Sequence, residues 1–357
     1  MLVHNSYRLI PSPKKYKSMK KVFIGIDFSK LKFDAAIYSV ETKGIVATEV
    51  FNNEQSGYVD LLQWVKENTR FQKSEMLFCG EHTGYYSVNL SVFLSESGYD
   101  VWLVSGLELK LTQGIKRTKT DRVDACKIAE HAFRYQDKVA LFQPVSKSLE
   151  EIRELLSYRE RLVETRKVLT TSAKEMKRVK DNTSCDYIYQ DSIEYINKLN
   201  ASVRDCEKRI EMLIKQDISL KITYKQVTSV VGIGLVNAAL ILVATANFTL
   251  FDNPRKFGCY CGVVPFEHSS GTSVRGKTRV SKMANKRIKT TLTLAARNSV
   301  RFDPELKEYY ERKISEGKNS WLVLNNVKNK LIHRIFAVVR DGQMYEKQYI
   351  HPLKQAA

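Results

Sequence analysis

The sequence predicts an α/β domain followed by an all-α region, with a long coiled-coil hairpin between the α/β part and a mainly helical C-terminal domain. Three observations carry this. Short apolar runs alternate with helical spacing over residues 21–145. Apolar residues then recur at three-, four- and seven-residue steps, with no Gly or Pro from Lys147 to Gly232. The 357 residues are 43% hydrophobic and 27% charged, an ordinary globular balance that excludes a largely disordered chain.

The elements follow in order. Lys21–Asp27 is a short apolar run ending in an acid, followed by strand candidates at Phe33–Val40 and Ile45–Phe51 with Lys43-Gly44 as their turn. Ser56–Asn68 has helical spacing, with Tyr58, Leu61, Leu62 and Val65 on one face. Glu75–Cys79 is a strand followed closely by Glu81. Tyr85–Ser95 is helical, Asp100–Val104 a strand, and Thr120–Tyr135 a helix, giving the order β-β-β-α-β-α-β-α. In the hairpin, Leu149, Ile152, Leu156 and Val163 answer Ile193, Ile196, Val203, Cys206, Ile210 and Leu213 across a break at Asp181–Asp186. Val230–Leu240 reads as helix, Gly-x-Gly turn, helix. It fits a phosphate-facing hairpin or a plain packed turn equally. The tail from Pro304 is helical, and Tyr309, Tyr310, Trp321, Leu324, Val327 and Ile335 are expected to complete a C-terminal core. The domain limits are 20–145, 146–220 and 221–345.

Lys and Arg number 58 against 39 Asp and Glu, a formal charge of +19, which points to a polyanion and first to nucleic acid. The charge is concentrated. Pro254–Arg301 holds 11 Lys/Arg against one acid, Glu267. Lys14, Lys15, Lys17, Lys20 and Lys21 precede the first strand, and Lys110, Lys116, Arg117, Lys119 and Arg122 form a third group. No run approaches the roughly 20 apolar residues of a membrane span, and Met1–Lys21 has no secretory apolar core. The six Cys form no CxxC pair and read as reduced thiols of a cytosolic protein.

Four carboxylates stand out. Asp27 ends the first strand and Glu81 the fourth. Asp121 and Asp124, three apart at a helix start, share one face. Gathered together they repel one another and call for cations. Mg²⁺ suits such hard oxygen donors, with Mn²⁺ as an alternative, and two ions would serve phosphoryl transfer. Taken singly, Asp27 fits a turn residue and Asp121 a first-turn acid as well.

The elements Ile24-Gly-Ile-Asp27, Glu81-His-Thr-Gly84, Lys119-Thr-Asp-Arg-Val-Asp-Ala125 and the basic run Gly262–Gly276 together resemble one family. It is the Piv/MooV-type insertion-sequence transposases, also called bridge recombinases. The resemblance covers about Lys20 to about Arg340. It implies a RuvC-like, RNase H-fold domain whose metal set is Asp27, Glu81, Asp121 and Asp124, and a C-terminal domain whose nucleophile is Ser270, the Ser before Gly271. It implies cutting and rejoining of target and donor DNA through a covalent phosphoserine. It further implies guidance by a structured non-coding RNA, dimers or tetramers, and a bacterial or archaeal nucleoid setting.

Ser269 and Ser273 remain alternatives by composition. Gly271 lets a backbone phosphate approach Ser270, and in an extended segment Ser269 faces the other way. His268 is either a base or a loop residue. Lys116, Arg117, Lys119, Arg122, Arg275, Lys277, Arg279, Lys282, Lys286 and Arg287 are the expected nucleic-acid contacts. A junction resolvase or other RuvC-like metal-dependent endonuclease, with Ser270 incidental, is the competing enzyme. A non-enzymatic nucleic-acid-binding protein is the third possibility.

Overall fold

A computed structural model describes residues 20–112, 120–178, 183–270, 274–280 and 284–346. The chain divides into two compact units, Met1–Pro144 and Val145–Ala357.

The first unit is built on a five-stranded sheet. Its strands are β1 (Val22–Phe28), β2 (Lys32–Ser39), β3 (Gly44–Asn52), β4 (Met76–Glu81) and β5 (Asp100–Val104), in the order β3-β2-β1-β4-β5. β1 is central, antiparallel to β2 and parallel to β4, and β4 pairs parallel with β5. β1 is buried on both faces, which is why it reads as a continuous apolar run rather than an alternation. Ile24, Ile26 and Phe28 enter one core with Tyr58, Leu61 and Val65 of α1 (Gln55–Asn68) and Leu90 and Leu94 of α2 (Tyr85–Glu96). Phe23, Leu77, Cys79 and Trp102 enter the opposite core with Ile128, Ala129 and Ala132 of α4 (Asp121–Arg134). A short helix, α3 (Gly106–Thr112), which the spacing did not predict, lies between β5 and α4.

Lys20 corrects the reading of the first basic group. It is 2% exposed, and its ammonium donates to Asp100 Oδ2 at 2.6 Å and to the Ser74 carbonyl. It closes the start of β1 onto the β5 side of the sheet instead of facing solvent.

The second unit opens with α5 (Lys147–Met176) and α6 (Thr183–Gln216), packed antiparallel. Only Leu149, Ile152, Leu156 and Ala173 of α5 are buried. Further out, polar pairs hold the helices: Arg159 with Glu207 at 2.7 Å and Arg166 with Asn200 at 2.8 Å. The arm is therefore a helical hairpin with an apolar base.

The remaining helices are α7 (Ile218–Ser229), α8 (Leu235–Thr245), α9 (Pro254–Tyr260), α10 (Lys286–Phe302), α11 (Pro304–Ser315) and α12 (Ser320–Asp341). They surround a core that includes Ile241, Leu242, Leu292, Leu331, Ile332 and Ile335. The Gly-x-Gly turn lies between α7 and α8. A Cβ on Gly232, at φ +92°, would fall 2.2 Å from Ser299 Oγ and 2.6 Å from the Ala295 carbonyl of α10. Ser299 Oγ in turn donates to the Val231 carbonyl at 2.6 Å. Gly232 thus serves helix packing.

Two strands, β6 (Phe266–Ser270) and β7 (Val274–Arg279), form an antiparallel ribbon within this otherwise helical unit. Trp321 departs from the expected core assignment: it is 63% exposed. The buried residues of α12 begin two positions later, with Val323, Leu324, Val327, Lys328, Leu331 and Ile332 among them.

Candidate active site

The site is assembled by strand register. Asp27 is paired directly with Asp34 across β1 and β2. Ile26 pairs with Gly80 across β1 and β4, so the next residue on each strand sets Asp27 beside Glu81. Neighbouring strands lie about 4.8 Å apart, so Asp34, Asp27 and Glu81 form a row of carboxylates across the sheet. All three share the face that α4 covers, because residues two apart on a strand point the same way. Phe23 packs on α4 two steps before Gly25 and four before Asp27.

α4 crosses this face at close range. A Cβ on Gly25 would lie 2.2 Å from the Ala125 carbonyl oxygen and 2.3 Å from the Ala129 amide nitrogen. These are the partners of one helical hydrogen bond, so the helix backbone rests on the bare strand. The contact lies one turn from the α4 N-terminus, where Asp121 and Asp124 sit, and Thr120 caps that end by accepting from Val123 N. Glu81 needs a second bare position: a Cβ on Gly106 would fall 2.2 Å from its Oε1.

The electrostatics follow from the crowding. Burial, then Asp124, Glu81, Asp121 and Asp34 in that order, push the Asp27 carboxyl up to about 7. Asp34 is 6% exposed, and burial raises its pKa too. Lys32 contacts Asp34 at 3.9 Å and Asp121 at 3.7 Å, while Lys127 contacts Asp124 at 3.7 Å. Lys32, and to a lesser degree Arg122, which was expected on nucleic acid, oppose the rise at Asp34 without cancelling it.

Asp34 was missed by sequence reasoning. The available signal was the short β1–β2 connection: Ser29 N and Oγ both donate to the Lys32 carbonyl, which fixes the register that pairs Asp27 with Asp34. Among the described residues, no three His, Cys, Asp or Glu side chains converge closely enough to ligate one ion. The donor chemistry nevertheless suits a hard divalent cation. Asp27 is surrounded by four other carboxylates whose repulsion a cation would relieve.

Ser270 is the last residue of β6, paired with Val274, while Ser269 pairs with Arg275 and His268 with Gly276. Arg275, Lys277 and Arg279 fall on β7. Ser273, Lys116, Arg117, Lys119 and Lys282 lie outside the described residues. Lys286 is exposed at the start of α10. Arg287 corrects the expectation of a nucleic-acid contact. Its guanidinium binds Glu160 Oε2 at 3.1 Å and the Leu156 carbonyl, and so ties α10 to α5.

Two family models match the chain. One, a transposase model of the DEDD type found in IS110 elements, spans residues 24–176 and so contains all four acids. The other, described as the transposase IS116/IS110/IS902 family, spans residues 224–311. The chain belongs to the IS116/IS110/IS902 family of transposases.

Relatives of this transposase include the pilin gene-inverting proteins of Moraxella lacunata and Moraxella bovis. Each is 24% identical over 335 residues, covering 92% of this chain and 99% of theirs. The transposase for insertion sequence element IS1111A of Coxiella burnetii is 23% identical over 84% of each chain. A T. thermophilus RuvC bound to a Holliday junction covers 34% of this chain at 16% identity, with a TM-score of 0.26 that carries no weight. As a family member the protein is a DNA transposition and recombination enzyme with a mixed α/β sheet and many helices. Among the described residues no helix is long and apolar enough to cross a membrane.

Proposed function

We propose that this transposase cuts and rejoins target and donor DNA through a covalent phosphoserine on Ser270. Asp27, Glu81, Asp121 and Asp124 would hold Mg²⁺, or Mn²⁺, for that chemistry. The observation that carries the metal part is the carboxylate row on β2, β1 and β4 under the α4 N-terminus, with Asp27 pushed up to about 7 by its neighbours. A bound divalent ion supplies charge neutralisation and Lewis-acid polarisation of a phosphate oxygen.

The chain's own groups do the rest. The Ser270 oxygen attacks the phosphorus, the bond to one sugar oxygen breaks, and that oxygen leaves with a proton. A DNA hydroxyl then attacks the phosphoserine and regenerates the serine. Arg275, Lys277 and Arg279, on the strand paired with β6, supply cations for the phosphates. Gly271, directly after the serine, removes a side chain where a DNA backbone must approach.

On this reading residues 20–145 are an RNase H-type, RuvC-like metal domain, 146–220 an arm and 221–345 the serine-bearing domain. The strand order β3-β2-β1-β4-β5 supports the first assignment. The acids and the serine belong to different units, and the family resemblance implies a dimer or tetramer in which the acidic domain of one subunit serves the serine domain of another. A structured non-coding RNA that pairs with both DNAs fits the net charge of +19.

The test is mass mapping of a DNA-linked peptide formed in Mg²⁺. Ser270→Ala should abolish the adduct and recombination, while Ser269→Ala and Ser273→Ala keep both. An adduct on Ser269 or Ser273 would sink the assignment. Mg²⁺-dependent cleavage by Ser270→Ala with no adduct in the wild type would make the protein a RuvC-like metal nuclease instead.

A further inference from the structure

α10 carries Lys286, Arg287, Lys289, Arg297 and Arg301 and no acid. Its exposed residues include Lys286, Thr290, Leu294, Arg297 and Arg301, spaced by four, four, three and four residues, so they line one face of the helix. Along that face Leu294 is 56% exposed. The guanidinium of Arg297 lies over the ring of Trp321, at the start of α12, 5.3 Å from its centroid. Trp321 is 63% exposed and Leu322 beside it 54%. α12 has no acid before Asp341.

The cations of α11 are spent on internal pairs, Lys307 with Glu311 and Arg312 and Lys313 with Glu316, as are several of the hairpin, such as Arg209 with Glu151. Among the described residues Arg297 and Arg301 have no carboxylate within ion-pair distance. A large exposed indole backed by arginine, in a row of free cations, is costly to leave in water and of little use to the core.

We infer that the α10 face and Trp321 form a seat for an unpaired nucleic-acid strand, with one base stacked on the exposed part of the Trp321 indole and its phosphates running along Arg297, Arg301 and Lys286. Three features favour a single strand. Only an unpaired base offers its face to an indole, whereas a duplex presents phosphates and groove edges. Arg297 lies over the ring and pre-orders it, while Trp321 stays 63% exposed, with ring surface left to a ligand. The acid-free charge of α10 matches a phosphate backbone and opposes a second copy of the same basic face.

The inference rests on the reading of the chain as a nucleic-acid enzyme only for its choice of ligand. The test therefore measures binding in EDTA, where no strand is cut and failure of the serine or metal chemistry leaves the result unaffected. The full chain is titrated at fixed salt with a thymidine strand of about 20 nucleotides and with a duplex of the same length.

Trp102 is 3% exposed and Trp64 partly buried, so tryptophan quenching on strand binding reports chiefly on Trp321. Trp321→Ala should lose the quench and bind the strand about tenfold more weakly while its duplex affinity moves less than about twofold. Trp321→Phe should recover most of the loss, and unchanged circular dichroism would confirm that each variant is folded. Unchanged strand affinity in Trp321→Ala, or an equal loss on strand and duplex, overturns the inference. So does a drop in oligomer size by light scattering with strand affinity intact, which would make this face a contact between copies.

Discussion

Gly25→Ala is the sharpest test of how the acidic site is held together. The new methyl would sit 2.2 Å from the Ala125 carbonyl oxygen, 2.3 Å from the Ala129 nitrogen and 2.9 Å from the Ala129 Cα, all backbone atoms of α4. Since unstrained contacts need about 3.5 Å or more, α4 must retreat from β1 by roughly 1 Å. Overpacking of this kind costs about 1–3 kcal/mol. In a unit of this size that lowers the melting temperature by roughly 3–10 °C.

The functional loss should be larger than the stability loss implies. The retreat carries Asp121 and Asp124 away from Asp27, and a 1 Å misplacement of catalytic groups can cost on the order of 10²-fold in rate. Gly44→Ala is the matched control, because its Cβ would meet only the Thr42 carbonyl, at 3.8 Å. Thermal melting and Mg²⁺-dependent strand cleavage are measured on both variants at a temperature where both are folded. Wild-type cleavage by a folded Gly25→Ala would refute the argument that this contact positions the acids.

Two other outcomes follow from buried charge. Asp27 titrates near 7 when folded against an ordinary 3.8, so the folded state binds the extra proton between these values and its stability falls as pH rises through that window. Asp27→Asn should therefore be more stable than wild type at pH 8, by roughly 2–4 kcal/mol, and should lose the stabilisation that millimolar Mg²⁺ gives the wild type. Equal Mg²⁺ shifts in the two proteins would count against Asp27 as a ligand. Lys328 is 6% exposed, and burial, then Lys289, lower its pKa to about 8 from 10.5. The unfolded chain binds more protons between 8 and 10.5, so Lys328 makes stability rise with pH there. Lys328→Met should raise stability at pH 7 by up to about 3 kcal/mol and remove that rise. A wild-type-minus-variant difference that is the same at pH 7 and pH 10 would refute it.

Much of this site is legible in the sequence. Glu81 ends β4 as the sequence suggests, and Asp27 lies one residue before the end of β1 because the strand continues through the buried Phe28. Asp121 and Asp124 share a face because helix geometry repeats every 3.6 residues. The hairpin follows from its uninterrupted helical spacing, and the charge of the Pro254–Arg301 window is a matter of counting. These are local properties, set by neighbours along the chain.

What the tertiary structure decided depends on partners far along the chain. Asp34 joins the site only through the β1–β2 register, and Gly25 matters only because α4, a hundred residues later, packs on it. Lys20 and Arg287 look like surface cations in the sequence, yet Asp100 and Glu160 draw them into structural pairs. Trp321 looks like core and lies outside, under Arg297. A charge or an aromatic ring has no intrinsic position. Whether it is neutralised inside or left for a ligand is set by which opposite charge or apolar surface the fold brings within a few ångströms, and sequence spacing does not encode that distance.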